Sequence, residues 1–161
     1  MAHLRSITVS PVAYRRITLV ALVALVAIIV TGAAVRLTDS GLGCTSWPTC
    51  DETTIVPRWE YHQMIEGVNR FFTGVVSVAV ALAVLGSRRR TPRRSDLTGW
   101  SLALVAGVVG QIVLGGLTVL FHLWPPLVMG HLLLSLALVT CGVVLHERAG
   151  WAAPRPRRPA A

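Results

Sequence analysis

Charged residues are scarce in this chain, where they make up 14% of 161 residues while 53% are hydrophobic. So little charge excludes an ordinary soluble domain. Lysine is absent, and all 15 basic residues are arginines, an absence to which we attach no functional meaning. The net charge of +8 does not indicate nucleic acid, because the arginines lie in short runs beside apolar segments. That arrangement is typical of membrane topology.

Four apolar segments are long enough to cross a bilayer, which takes roughly 20 residues of helix. They cover about residues 17–35, 61–86, 97–120 and 127–145. The first segment is too long for a signal peptide and is followed by only a weak cleavage motif, so we interpret it as a retained helix. The sequence therefore predicts an all-α integral membrane protein with four transmembrane helices in an antiparallel bundle.

Arginine clusters predict the orientation of this bundle. They precede the first helix, fill the loop between the second and third, and follow the fourth, whereas the loop 36–60 carries more acidic residues than arginines. By the positive-inside rule both termini are cytoplasmic, and loop 36–60 faces the extracytoplasmic side of the cell membrane. The predicted parts are a cytoplasmic segment 1–16, a transmembrane domain 17–146 and a disordered basic cytoplasmic tail 147–161.

Cysteine is also rare, with three residues in the chain, and two of them bracket the stretch GLGCTSWPTC. On the oxidising side of a membrane, Cys44 and Cys50 are able to form a lasting disulfide. A structural disulfide is the favoured interpretation, and a redox-exchanging pair is the alternative. Zinc is disfavoured because the loop has no second pair of Cys or His ligands. Cys141, inside the fourth helix, is expected to be a small core residue.

The second helix opens with an unusual set of polar residues. His62, Glu66, Asn69 and Arg70 fall along one helical face, together with Thr73. Ionisable groups within a membrane are costly and mark functional sites by default. The spacing of Glu66 and Arg70 also fits an ion pair within the helix, so a structural role for those two residues stays open.

Further polar and small residues lie on the third and fourth helices. His131, about five residues after Pro126, is at a depth similar to Glu66, and a four-helix bundle is a natural place to hold a heme. We interpret His131 as a heme ligand facing the polar stripe of the second helix across one cavity. The glycines of GVVGQIVLGGLTV favour close helix packing over room for a macrocycle, and Gln111 is a candidate hydrogen-bond donor.

Four motifs occur in an order that resembles a known family. TGAAVRLTDSGLGCTSWPTC, IEGVNR, QIVLGGLTVL and HLLLSLAL, between about residues 31 and 138, resemble the first four-helix half of heme A synthase. The resemblance implies a membrane oxidoreductase that oxidises the C8 methyl group of heme O to a formyl group. The product, heme A, would supply a terminal oxidase, so heme O synthase is an expected partner as the source of substrate.

The resemblance also implies roles for particular residues. Glu66 matches the carboxylate implicated in the oxidation, and His131 matches the histidine that ligates or contacts the iron of the substrate heme. Arg70 matches the arginine of the second helix and is expected to contact heme. Cys44 and Cys50 match loop cysteines that form a disulfide in relatives.

This sequence departs from the family pattern in two ways. Asn69 stands where the family often has a histidine, so His131 alone or together with His62 would hold the heme. The second four-helix half, which carries a b-type heme in the family, has no counterpart here. We therefore expect the chain either to pair with a second copy or a partner to rebuild eight helices, or to be an incomplete and inactive half. A second copy would duplicate the Asn69 site and would not restore the missing histidine pair.

Two other functions compete with heme O oxidation. A non-catalytic membrane protein that binds heme during assembly is the stronger alternative, because of Asn69 and the single half. A thiol-disulfide oxidoreductase needs a second dithiol to relay electrons. The loop FHLWPP lacks cysteine, which disfavours this class.

Overall fold

The computed structural model describes residues 8–151, which contain four long helices and the segments that connect them. The helices are Pro11–Leu37 (α1), Tyr61–Arg89 (α2), Ser95–Leu120 (α3) and Pro125–Gly150 (α4). Each is long and apolar enough to cross a membrane. The predicted fold class is therefore confirmed: the described residues form an all-α bundle of four spans and contain no strand.

The helix α1 begins at Pro11, earlier than the predicted boundary at residue 17. The side chain of Ser10 accepts a hydrogen bond from the Ala13 amide at 3.2 Å, and proline fits the first turn of a helix. This cap sits before the polar residues of the first turns, which is why apolar composition alone placed the start too late. Residues 1–7 of the predicted cytoplasmic segment lie outside the described part.

The helix α4 continues to Gly150, beyond the predicted end at residue 145. Residues 147–150, predicted as the start of a disordered tail, are therefore helical. The Arg148 guanidinium lies over the Trp100 ring at 5.4 Å, and the Arg94 guanidinium donates to the Arg148 carbonyl at 2.9 Å. These contacts to α3 and the loop before it stabilise the last turn. The rest of the predicted tail, 152–161, is not among the described residues.

The four helices are arranged in a ring in which each helix packs beside two others. Within the described residues α1 packs against α2 and α4, and α3 packs against α2 and α4, whereas α2 and α4 lie diagonally across the bundle. Large apolar side chains remain exposed along all four helices, as lipid-facing surfaces require. The diagonal placement matters for the site, because it separates α2 from α4.

Glycines of α3 allow α4 to approach closely. An added Cβ at Gly107 would collide with the Leu138 side chain, and one at Gly110 would lie 3.5 Å from Leu134. Without a hydrophobic driving force between helices in lipid, such small residues permit the van der Waals contact that holds helices together. The close packing predicted for these glycines is therefore present.

The Tyr14 hydroxyl is a polar group within the apolar core. Tyr14 is fully buried, and its hydroxyl is hydrogen-bonded to the Ser101 hydroxyl at 2.9 Å, joining α1 to α3 across the ring. We expect Tyr14→Phe to lower the free energy of unfolding by roughly 0.5–1 kcal/mol, a typical value for one such bond in a membrane protein. Denaturation in detergent, followed by circular dichroism, measures this change.

Tyr61→Phe is the matched control, because Tyr61 is 66% exposed at the start of α2. It removes the same hydroxyl from a position outside the core. Equal stability losses in the two variants would contradict a specific role for the bond between Tyr14 and Ser101.

Candidate functional site

A disulfide closes the loop between α1 and α2. Cys44 and Cys50 are joined with an S–S distance of 2.02 Å, and both are almost completely buried. We call residues 44–50 the cysteine loop. Both cysteines are buried, and the Ser46 and Thr49 carbonyls between them accept hydrogen bonds from α2.

The cysteine loop rests on a buried carboxylate of α2. Glu66 is only 5% exposed, and its Oε2 accepts a hydrogen bond from the Cys44 amide at 2.9 Å. Its Oε1 accepts from the Nε and Nη2 of Arg70 at 3.1 and 2.7 Å. Because both oxygens have partners, the carboxylate avoids the large penalty of an unpaired buried charge.

Arg70 connects the carboxylate to the loop. Its Nη1 donates to the Thr49 carbonyl at 2.9 Å, and its Nη2 donates to the Ser46 carbonyl at 3.0 Å. The planar guanidinium suits this use, since it offers several donors in fixed directions. The ion pair of Glu66 and Arg70, left open as structural or functional by the sequence, therefore holds the cysteine loop in place.

Glycines let the cysteine loop and its flanks lie directly on the helices. An added Cβ at Gly43 would collide with the α2 backbone at His62 and Gln63. On the other side, the Trp47 ring packs on Gly116 of α3, where an added Cβ would lie 2.6 Å from the ring. The cysteine loop thus covers one end of the bundle from α2 to α3. The contact between Trp47 and Gly116 was not predicted. The adjacent glycines Gly115 and Gly116 were the feature of the sequence that could have indicated a close approach to α3.

The segment after the disulfide is shaped by an aspartate. Asp51 Oδ1 accepts hydrogen bonds from the Thr53 amide and hydroxyl, both at 2.8 Å, and from the Thr54 amide at 2.7 Å. These bonds, led by that of the Thr53 amide, hold the pKa of the Asp51 carboxyl well below its usual range. The turn is therefore most stable above the ordinary carboxyl pKa, and it loses this contribution only as the pH falls through the lowered value.

His62 and Asn69 point towards α1 and the segment after it. His62 Nδ1 is hydrogen-bonded to the Ser40 hydroxyl at 2.9 Å, at the exposed start of α2. Asn69 Oδ1 accepts from the Thr31 hydroxyl at 2.8 Å. The polar stripe of α2 is therefore divided: Glu66 and Arg70 bind the cysteine loop, whereas His62 and Asn69 have partners on the α1 side.

His131 lies on the interface between α3 and α4. Its ring packs on Gly115, where an added Cβ would be 3.3 Å from the imidazole Cε1. Its Nδ1 is buried and has no hydrogen-bond partner among the described residues. Gln111 donates from Nε2 to the His131 carbonyl at 3.0 Å and to the Ser135 hydroxyl. The expected donor role of Gln111 is present, directed at the backbone of the histidine.

The structure does not bring His131 to the α2 residues. Between residues 8 and 151 no hydrogen bond or ion pair links His131 to Glu66, and their helices are diagonal neighbours. Two grooves of about 200 and 270 Å³ lie between α1 and α2, and neither is lined by Glu66 or His131. The shared cavity predicted from helix depth is not among these grooves. The prediction compared only the depths of Glu66 and His131 along their helices. Depth does not determine the direction in which a side chain points around the helix axis.

The described histidines differ in the partners of their ring nitrogens. His131 Nδ1 is buried and has no partner among residues 8–151, whereas Nδ1 of His62 is hydrogen-bonded to Ser40 and Nδ1 of His146 to Thr18, at 3.1 Å near the other end of the bundle. A hydrogen bond at Nδ1 leaves Nε2 available as a ligand, so these contacts exclude none of the three. An imidazole in the apolar interface between α3 and α4 is a ligand that suits a heme.

Comparisons with known proteins identify the family of this chain. Residues 15–160 match the model of the COX15-CtaA family, described as cytochrome oxidase assembly protein. The chain is 30% identical to a heme A synthase of Shewanella oneidensis over 148 residues, which cover 81% of this chain and 42% of that protein. It is 30% identical to one of Geobacillus kaustophilus over 105 residues, which cover 65% of this chain and 32% of that protein. No solved structure matches.

Fold and site together define a four-helix membrane protein with a disulfide-closed loop covering one end of the bundle. The chain belongs to the COX15-CtaA family of cytochrome oxidase assembly proteins, and the resemblance seen in its motifs is confirmed. The aligned regions span about a third to two fifths of the length of the curated relatives.

Docking of the cysteine loop depends on Gly43. We expect Gly43→Ala to displace the loop, because the added Cβ meets backbone atoms of α2 that have no freedom to rotate away. Hydrogen exchange of the Cys44 amide, which donates to Glu66, is the measurement, and the amide should exchange at least tenfold faster in the variant.

Gly74→Ala is the matched control, since an added Cβ there has no atom within 4 Å. It places the same methyl group on α2 away from the cysteine loop and should leave the exchange rate of the Cys44 amide unchanged. Unchanged exchange in Gly43→Ala as well would show that the loop does not depend on this close approach.

Proposed function

We propose that this protein oxidises the C8 methyl group of heme O to a formyl group within the membrane, supplying heme A to a terminal oxidase. Family membership and the similarity to proteins named heme A synthase support the substrate class. The observation that carries the proposal is that a carboxylate and an imidazole lie on adjoining parts of the bundle. A buried carboxylate lies beneath a disulfide-closed loop, and an imidazole with an unpartnered nitrogen lies on the adjoining α3–α4 interface.

In this proposal each side chain has a defined task. His131 contacts the iron of heme O. Oxidation of the methyl group to a formyl group removes four electrons, which an electron acceptor outside the described residues would take up. Glu66 takes up the proton lost from the methyl carbon or stabilises the developing positive charge there. Arg70 orients the carboxylate, as its two hydrogen bonds to Glu66 Oε1 indicate. His62 and Asn69 contact heme from the α1 side of the site, and His62 is the second imidazole available to it.

The proposal includes a location and partners. The distribution of arginines supports cytoplasmic termini and a cysteine loop on the extracytoplasmic side of the cell membrane. A second four-helix unit, from another copy or a partner, would complete an eight-helix assembly. Heme O synthase would deliver the substrate.

Glu66→Gln tests the catalytic role. We expect conversion of heme O to heme A to fall by about 100-fold, since an amide has no basic oxygen and general acid–base catalysis typically contributes about 10²–10⁴. The measurement is pigment analysis by chromatography after co-expression with a heme O source. Heme O bound to the purified variant is quantified in parallel, to separate binding from conversion.

Glu60→Gln is the control, because Glu60 is exposed, precedes α2 and makes no side-chain capping bond. It changes the charge by the same amount at a position six residues earlier in the chain. Wild-type conversion in Glu66→Gln would rule out Glu66 as the reacting carboxylate.

A heme-binding assembly protein without catalysis is the second candidate function. One specific observation favours it, namely that both Glu66 oxygens are already engaged by the Cys44 amide and by Arg70. A carboxylate used to hold the loop has less freedom to act as a base. In this alternative His131 binds heme and the protein passes it on unchanged.

Pigment composition separates the two candidates. If the protein is an oxidoreductase, we expect preparations from cells that make heme O to contain heme A, and His131→Ala to lose most of the bound pigment. An absorption spectrum and extracted-pigment chromatography provide the measurement. Bound heme O without heme A, lost equally in His131→Ala, would establish the carrier and contradict the oxidation.

A further inference from the structure

Two buried polar atoms without partners lie on the interface between α3 and α4. They are Gln111 Oε1 and His131 Nδ1, and neither has a hydrogen bond among the described residues. Leaving a buried donor or acceptor unpaired costs about 1–3 kcal/mol. The two atoms belong to residues in direct contact, because the Gln111 amide is bonded to the His131 carbonyl. Two unpaired atoms at such a contact require an explanation.

The direction of the Gln111 amide follows from its other partners. The His131 carbonyl accepts hydrogen bonds and never donates, so the group 3.0 Å from it is the NH2 of Gln111. The Ser135 hydroxyl also donates to the His131 carbonyl at 2.9 Å, and it accepts from the same NH2 group. The amide is thus fixed on the turn that carries His131, and its Oε1 remains a free acceptor there.

The imidazole has room to use this acceptor. His131 packs on Gly115, which has no side chain to fix the ring, and rotation of a histidine ring about its last torsion is soft. Nδ1 is the buried ring nitrogen without a partner, whereas Nε2 is not among the enclosed atoms. A protonated Nδ1 and the Gln111 Oε1 are complementary, and joining them satisfies both atoms at once.

We propose that Gln111 is the positioning residue for His131: its Oε1 accepts the Nδ1–H hydrogen bond, so that Nε2 presents its lone pair to the iron of the substrate heme. This inference rests on the proposed function, since it concerns the histidine assigned there to the iron. Ligating histidines commonly donate their other N–H to such an acceptor, which fixes the tautomer and raises ligand basicity. Gln111 acts through His131 and does not itself touch the heme.

Two substitutions at Gln111 should change the basicity of the His131 imidazole in opposite directions. Gln111→Glu removes the NH2 bonds to the His131 carbonyl and the Ser135 hydroxyl, but it supplies a stronger, charged acceptor to Nδ1–H and makes the imidazole more basic. Gln111→Met keeps the length of the side chain and removes the acceptor. In the ferrous protein loaded with hemin and then reduced, we expect the iron–histidine stretching frequency to rise in Gln111→Glu and fall in Gln111→Met. Resonance Raman spectroscopy of the full chain in detergent measures both shifts.

Gln63 provides matched controls, because it is the other glutamine of the chain and bonds the Arg58 amide at 2.8 Å beside the cysteine loop. Gln63→Glu and Gln63→Met should leave the frequency at its wild-type value. A purely structural role of Gln111 in joining α3 to α4 would not produce shifts of opposite sign in Gln111→Glu and Gln111→Met. Identical frequencies in wild type and both Gln111 variants would overturn the inference while leaving the proposed function intact.

A second measurement needs no heme and does not depend on the stability of Gln111→Met. In ¹⁵N NMR of the heme-free protein, His131 should be predominantly the Nδ1–H tautomer, and Gln111→Glu should retain it. A predominant Nε2–H tautomer in the wild type would overturn the positioning role. An iron–histidine band that survives His131→Ala would overturn the iron ligand itself, and with it both the proposed site and this inference.

Discussion

The ion pair between Glu66 and Arg70 is the interaction on which the covered end of the bundle depends. Glu66 is buried and Arg70 is partly buried, and such charges in an apolar bundle are unfavourable unless they are paired and hydrogen-bonded. Here the Cys44 amide and the loop carbonyls complete the set, so the polar groups of helix and loop satisfy each other. Removing Arg70 would leave the buried Glu66 carboxylate with the Cys44 amide as its partner and would take two carbonyl contacts from the loop.

Two adjacent glycines on α3 connect this loop to the histidine. Trp47 packs on Gly116, and the His131 ring packs on Gly115 one residue earlier. Consecutive residues of a helix point about 100° apart, so the two rings occupy neighbouring sides of the same turn. The loop attached to α2 and the imidazole carried by α4 therefore meet at α3, although α2 and α4 lie diagonally.

Much of the fold followed from the sequence, because each span is governed by local composition. The four helices and the spacing of Glu66 and Arg70 depend on hydropathy and on residues one turn apart. The start of α1 was missed because a serine cap and a proline outweigh apolar composition. The partners of Asn69 and His131 could not be read from the sequence for another reason. Rotation of a helix about its axis is set by neighbours far away in sequence, here Thr31 and Gly115.

The position of Asn69 limits the chemistry that the chain supplies by itself. Its oxygen is held by Thr31 on α1, and an amide is in any case a poor iron ligand compared with imidazole. A single imidazole leaves one face of a heme iron open, which suits a substrate undergoing oxidation better than a heme that only transfers electrons. The free nitrogen of His131, the acceptor on Gln111 and the carboxylate beneath the cysteine loop are consistent with one-sided binding. Two-sided ligation would need a second imidazole, for which His62 is the candidate in the proposed function.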